Sequence, residues 1–217
     1  MKISFALLLL LIGCHSSPRE KEITDLHHHL SEAQHDIAKM PIYADPATGD
    51  YEELRHGKFL IQDSVFLRGI VNHKDSLEPF IVQHIDSAPS FMYLAAYLKY
   101  QSAVPLIKHA LLRGDYFQYY GWEEDPQEYR TTAMICNDQL RDHEYPYQMA
   151  AIAAIEYISG KPFAQAVSLS KEEEQKLTEE SRTCRPDSME ENERGYQQSC
   201  LSLWLLSKFK GVPPPHF

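Results

Sequence analysis

The chain has 217 residues, with 31 acidic against 21 basic side chains and a formal net charge of −10. That balance disfavours nucleic acid and anionic lipid surfaces as partners, because both are bound by clustered Lys and Arg, and it is neutral to favourable for a basic protein. The length suffices for one hydrophobic core or a short repeat array and excludes two large domains.

At the N-terminus Lys2 supplies a positive charge, Phe5 to Ile12 form an apolar run, and Gly13 places a small residue directly before Cys14. Charge, short apolar run and small residue, in that order, mark an export signal. The run is too short to span a bilayer. The stretch Leu11-Ile12-Gly13-Cys14 resembles the lipobox of bacterial lipoproteins at all four positions. The resemblance implies that residues 1–13 are a signal removed on export and that Cys14 becomes the lipidated first residue, anchored in the bacterial cell envelope. Since His15 rather than Asp follows, it also implies sorting to the outer membrane. Acyl chains contribute about 0.8 kcal/mol per buried methylene, so a cysteine with more than one chain anchors a protein without a transmembrane helix. Losing the one positive charge of Lys2 takes the net charge from −10 to −11.

With Cys14 given to lipid, Cys136, Cys184 and Cys200 remain. In an oxidising compartment three thiols allow one internal bridge and leave one over. Cys184 with Cys200 is the expected pair, because residues 185–199 are mostly polar, include Pro186, Asp187 and Gly195, and have little apolar material to hold themselves. Closing a loop of this size stabilises by about 3 kcal/mol on the chain-entropy model. Cys136 is then expected to be free and buried.

After a polar tether over 14–22, Ile23, Leu26, Leu30, Ala33, Ile37 and Met40 recur at spacings of three and four, the stripe of an amphipathic helix that Pro41 stops. Tyr43 to Gly57, with Asp45-Pro46 and Thr48-Gly49-Asp50, reads as a loop. Phe66 to Ile81 then overlays Met92 to Ile107 at an offset of 26, placing Gly69 on Ala95, Ser76 on Ser102 and Pro79 on Pro105. Each copy predicts an apolar helix with small residues at its centre, a polar turn and a second helix opened by Ser-x-x-Pro, with Ser as N-cap and Pro in the first turn. A partial third copy runs from Tyr147 to Val167, with Ala150, Ala151, Ala153 and Ala154 in its first helix.

The pattern resembles HEAT-type helical repeats, most closely through Leu94-Ala95-Ala96-Tyr97-Leu98 and Ala103-Val104-Pro105-Leu106-Ile107, although a period of 26 is shorter than the usual unit. The fold expected is therefore all-α: one helical domain over 23–217, a short stack of hairpins with units near 63–85, 90–113 and 146–167. An aromatic, acidic insertion occupies 114–145. Ser170-x-x-Glu173 is a capping box opening a charged helix through about Arg182, and a last helix over about 188–210 ends at Gly211 and Pro213 to Pro215.

Residues that could carry chemistry are few. His28, Glu32 and His35 fall on one helix face, and two imidazoles with a carboxylate are zinc-ligand types, although the same spacing also makes a solvated polar face. Tyr116, Phe117, Tyr119, Tyr120 and Trp122 offer a contact surface, because Tyr and Trp bury much area at low entropic cost; the same rings could instead cap the end of the stack. There is no Gly-x-Ser-x-Gly elbow, His-Glu-x-x-His helix, phosphate loop or Cys-x-x-Cys pair. Ser-x-x-Lys occurs at Ser168/Lys171 and Ser207/Lys210 without companion motifs, and Asp142-His143-Glu144 reads as a solvated turn.

The expectation is a lipid-anchored envelope module that binds or scaffolds another envelope protein, without catalytic residues, cofactor or nucleic acid. The alternatives are a metal- or carboxylate-dependent hydrolase of envelope polymers and an immunity-type lipoprotein whose acidic surface meets a basic toxin.

Overall fold

The computed structural model describes residues 17–34, 39–43, 51–86, 88, 90–113, 146–182 and 193–213, with backbone alone at 43, 51, 52, 146, 147, 193–198 and 200. These residues form a mostly helical, all-α fold.

Helix α1 spans Pro18–Ala33 and begins ahead of the expected start at Ile23. The reason is a second capping box: the Ser17 hydroxyl accepts from the Glu20 N–H at 3.2 Å, the Glu20 carboxylate accepts from the Ser17 N–H at 2.6 Å, and Pro18 occupies the first turn. The tether expected over 14–22 is thus helical from Pro18 onward. Leu26, Leu30 and Ala33 are buried, as their spacing implied; Met40 is also buried, but beyond the helix, which ends at Ala33.

The expected loop over 43–57 contains a short helix α2, Tyr51–Arg55, whose Leu54 is fully buried. Strand β1 (Ile42–Tyr43) pairs antiparallel with β2 (Leu60–Ile61), Ile42 opposite Ile61. Two residues per strand make the smallest of sheets. Its inner strand carries buried Ile42, whereas both side chains of β2 are exposed.

Helices α3 (Ser64–Asn72) and α4 (Lys74–His84) form the first pair, and α5 (Ser90–Leu98) with α6 (Val104–Leu112) forms the second, preceded by a 3₁₀ turn at Gln101–Ala103. The limits of α3 and α5 repeat at an offset of 26 at both ends. Asp63 caps α3, its Oδ1 accepting from the N–H groups of Val65 at 2.9 Å and Phe66 at 2.8 Å. The expected Ser-x-x-Pro helix start is corrected. The N–H groups of Ser76 and Leu77 already donate to the His73 carbonyl, so α4 is under way before Ser76, and Pro79 lies inside it. Pro105 does sit in the first turn of α6, but Ser102 lies in the preceding 3₁₀ turn and donates to the Glu78 carboxylate instead.

That contact ties the two pairs together, as does the Tyr100 hydroxyl, which donates to the Lys74 carbonyl. Burial, then the negative charges of Glu78 and Asp75, hold the Tyr100 phenol well above the usual tyrosine range. Helix α7 (Pro146–Ser159) packs against α2, α5 and α6, with Ala150, Ala151, Ala153 and Ala154 buried in the shared core. The partial third copy stops short of a full pair, because its second helix, α8, is a single turn over Phe163–Ala166. Helix α9 (Lys171–Ser181) is opened by the expected Ser170/Glu173 capping box and packs on α10 (Glu193–Lys210). Gly211 adopts a left-handed φ of 64°, letting the N–H groups of Gly211 and Val212 return to the carbonyls of Lys208 and Ser207 and close α10.

Candidate functional site: a groove beside the first helix

A broad concavity among the described residues follows from how α1 lies on the first pair. Gly69 faces α1, where a Cβ would come within 3.1 Å of Leu26 Cδ2, so the missing side chain lets the two helices approach closely. Pro41 accepts from the Gln62 N–H at 2.9 Å, which fixes the β1–β2 turnback beside the end of α1. Between α1, the Gln62–Asp63 link after β2, and α3 this leaves a groove of about 810 Å³. Leu26, Met40 and Phe66 give it an apolar floor, exposed Val65 lies at its edge, and Lys21, Asp25, Lys39 and Asp63 belong to its charged rim.

Electrostatics on this face are locally paired. His28 Nε2 lies 3.3 Å from Glu32 Oε1, and Lys39 Nζ lies 3.5 Å from Glu32 Oε2, all on exposed side chains. His28 and Glu32, two of the three zinc-ligand types noted in the sequence, thus meet on a solvent-exposed face, and His35 lies outside the described residues. Among the described residues no group of three His, Cys, Asp or Glu is arranged to hold a metal ion.

The neighbouring histidines carry out structural work. His29 meets the edge of Phe66 at 5.5 Å. His27 stacks on Phe80 at 4.8 Å, and Phe80, His84 and Phe91 continue the ring cluster between α1, α4 and α5. His73, between α3 and α4, is nine-tenths buried and places Nε2 3.1 Å from a Glu22 carboxylate oxygen of α1. An Nε2–H tautomer donating to Glu22 ties the α3–α4 junction to α1.

The Ser207 and Lys210 side chains of the second Ser-x-x-Lys pair are turned to other partners. The Ser207 hydroxyl is buried and donates to the Trp204 carbonyl at 2.6 Å, while Lys210 pairs with Glu174 at 3.0 Å. The aromatic residues Tyr116, Phe117, Tyr119, Tyr120 and Trp122, the Asp142-His143-Glu144 turn, and Cys14, Cys136 and Cys184 lie outside the described residues, as does the side chain of Cys200. Among the described residues no disulfide is seen.

Sequence reasoning missed the groove. Its signals were present as Ser17-Pro18-Arg19-Glu20, a capping box with proline, and as Phe59-Leu60-Ile61, an apolar run between Gly57 and the Asp63 cap. The first moves the start of α1 toward Cys14, and the second marks the strand at the groove's edge.

No protein-family model, curated protein sequence or solved structure matches this chain. Function is therefore read from the molecule's own chemistry. An apolar floor with a mixed-sign rim suits contact with an apolar surface. No helix among the described residues is long and apolar enough to cross a membrane.

Proposed function

We propose that the protein is an envelope lipoprotein, held in the membrane by acyl chains on Cys14. Its helical domain, a short HEAT-like stack, binds or scaffolds another envelope protein without catalysing a reaction. The observation that carries this reading is the order Lys2, apolar Phe5 to Ile12, Gly13 and Cys14, followed at once by a capped helix at Pro18. In this reading the domain is anchored at the groove end, an oxidising compartment supports the Cys184–Cys200 bridge, and the outer membrane is the destination. The partner is met by the stack and by Tyr116, Phe117, Tyr119, Tyr120 and Trp122.

The test is expression of the full chain in a diderm bacterium. Mass analysis of the N-terminal peptide should find acylated Cys14 with residues 1–13 removed, and Cys14→Ser should move the protein out of the membrane fraction. Cross-linking in the envelope should then capture one reproducible partner, and a Tyr119→Ala/Trp122→Ala double variant should reduce that capture at least tenfold. An unmodified Cys14 or a retained signal overturns the anchor. Capture unchanged by the double variant overturns the aromatic contact surface.

A further inference from the structure

Leu60, Ile61 and Val65 are large apolar side chains left 56%, 51% and 77% exposed. They belong to β2 and the first turn of α3; Val65 lines the groove and Leu60 and Ile61 directly precede Gln62, which also lines it. Each exposed methylene left in water there costs free energy that an apolar contact would recover. Scattered exposed apolar residues are ordinary, but this trio falls within six consecutive positions, 60–65, that run up to and into the groove lining at Gln62, Asp63 and Val65.

What covers them follows from where the chain is anchored. Pro18 and Val65 line the same groove. Cys14 precedes Pro18 by four residues, which reach at most about 15 Å even when fully extended. If Cys14 carries the acyl chains, as proposed above, the groove and its apolar edge are held within a few tens of ångströms of the bilayer surface. That confinement turns a weak contact into an intramolecular one at high effective concentration.

We propose that Leu60, Ile61 and Val65 form a second membrane contact. They insert into the interface of the bilayer that holds the lipid anchor and fix the orientation of the domain on it. The inference rests on the lipid-anchor reading. The chemistry commits to zwitterionic lipid. Lys39 is paired with Glu32 and Lys58 with Glu53 at 3.1 Å, the groove rim carries Glu22, Asp25 and Asp63 beside Lys21, and the chain as a whole is at −10, a balance that does not favour anionic headgroups. Apolar insertion here is expected to resist salt and to need no anionic lipid.

The test uses the full lipidated protein in phosphatidylcholine vesicles containing a phospholipid with a photoactivatable diazirine in its acyl chain, followed by peptide mapping. Lipid adducts are expected on the peptide covering 58–66, unchanged by 0.5 M salt, and reduced at least fivefold by Leu60→Glu/Val65→Glu. Val71→Glu is the control: it is an exposed apolar residue of the same helix, about 240° around it from Val65 at 100° per residue, and its substitution should leave the adducts unchanged. Because the substituted side chains are exposed, circular dichroism should report an intact fold for each variant.

Acylated Cys14 without adducts on 58–66 overturns this inference and leaves the anchor standing, whereas a non-acylated Cys14 in the same digest overturns the anchor itself. Adducts that require phosphatidylglycerol or vanish in salt overturn the apolar mechanism. Protection of 58–66 from hydrogen exchange that appears without vesicles and grows with protein concentration assigns the edge to a second copy of the chain, and overturns it as well.

Discussion

Helices α3 and α5 occupy the same place in the 26-residue pattern and end up in opposite environments. Val65 of α3 is 77% exposed, while its counterpart Phe91 in α5 is fully buried, and exposed Arg68 corresponds to fully buried Leu94. The backbone hardly distinguishes them, since both helices run nine residues from a serine. Neighbours do: α5 is enclosed by α4, α7 and β1, whereas α3 meets chiefly α1 and α4 and ends beside the groove. A repeated helix thus becomes core when another element closes over its second face, and surface when none does.

The sharpest way to break the comparison is to truncate matched positions. Phe91→Ala should cost about 3–5 kcal/mol, because a large buried ring leaves a cavity. Val65→Ala should stay within about 0.5 kcal/mol, since an exposed side chain gives up little. Urea unfolding with both variants decides it, and similar losses would show that α3 is covered in solution.

Small residues at the matched centres give the next largest effect. Ala95 is fully buried with neighbours on both sides, so Ala95→Leu should destabilise by about 1–3 kcal/mol through overpacking. At the counterpart Gly69 an added Cβ meets only the flexible end of Leu26. Gly69→Ala should therefore fall within about 1 kcal/mol of zero, the tight contact offset by improved helix propensity. Thermal unfolding of the two variants in parallel measures the difference.

A smaller effect separates a real cap from an apparent one. Ser170→Ala should lower stability by about 1 kcal/mol, since its hydroxyl accepts from the Glu173 N–H at 3.1 Å. Ser76→Ala should be neutral or slightly stabilising, because Ser76 lies inside α4. Equal losses would return Ser76 to the cap position.

The smallest effect concerns the tie between α6 and α9. Burial alone would raise the Glu173 carboxyl, but hydrogen bonds from Lys108 and from the Ser170 N–H, with the charge of Lys108, hold it below the usual carboxylate range. A lowered folded-state pKa contributes stability that is present above the carboxylate range and lost as the pH falls through it. The margin of the native chain over Glu173→Gln should thus be present at pH 7 and shrink toward pH 3 in denaturant titrations. A margin independent of pH would remove the ion pair from the account.

The helical class and several helix ends could be read from the chain alone. Ser170-x-x-Glu173 opened α9 where expected, Gly211 closed α10, and the 26-residue register located both α3 and α5. Each of these signals acts over a few residues: a hydroxyl reaches an N–H three positions on, and apolar residues three and four apart share a face. The same local rule, applied to Ser17 and Glu20, would have placed α1 correctly.

The groove was not legible in this way, because it is made where elements far apart in sequence meet. Gly69 reads as a small helix residue until Leu26 lies against it, and nothing in the residues around Leu60, Ile61 and Val65 tells that these apolar side chains stay exposed. Cap chemistry and periodicity determined that this protein is a series of short helices and largely where each begins. Which faces are core and which meet the surroundings was decided only by tertiary packing, since burial depends on what lies opposite a side chain and not on the residues beside it in the chain.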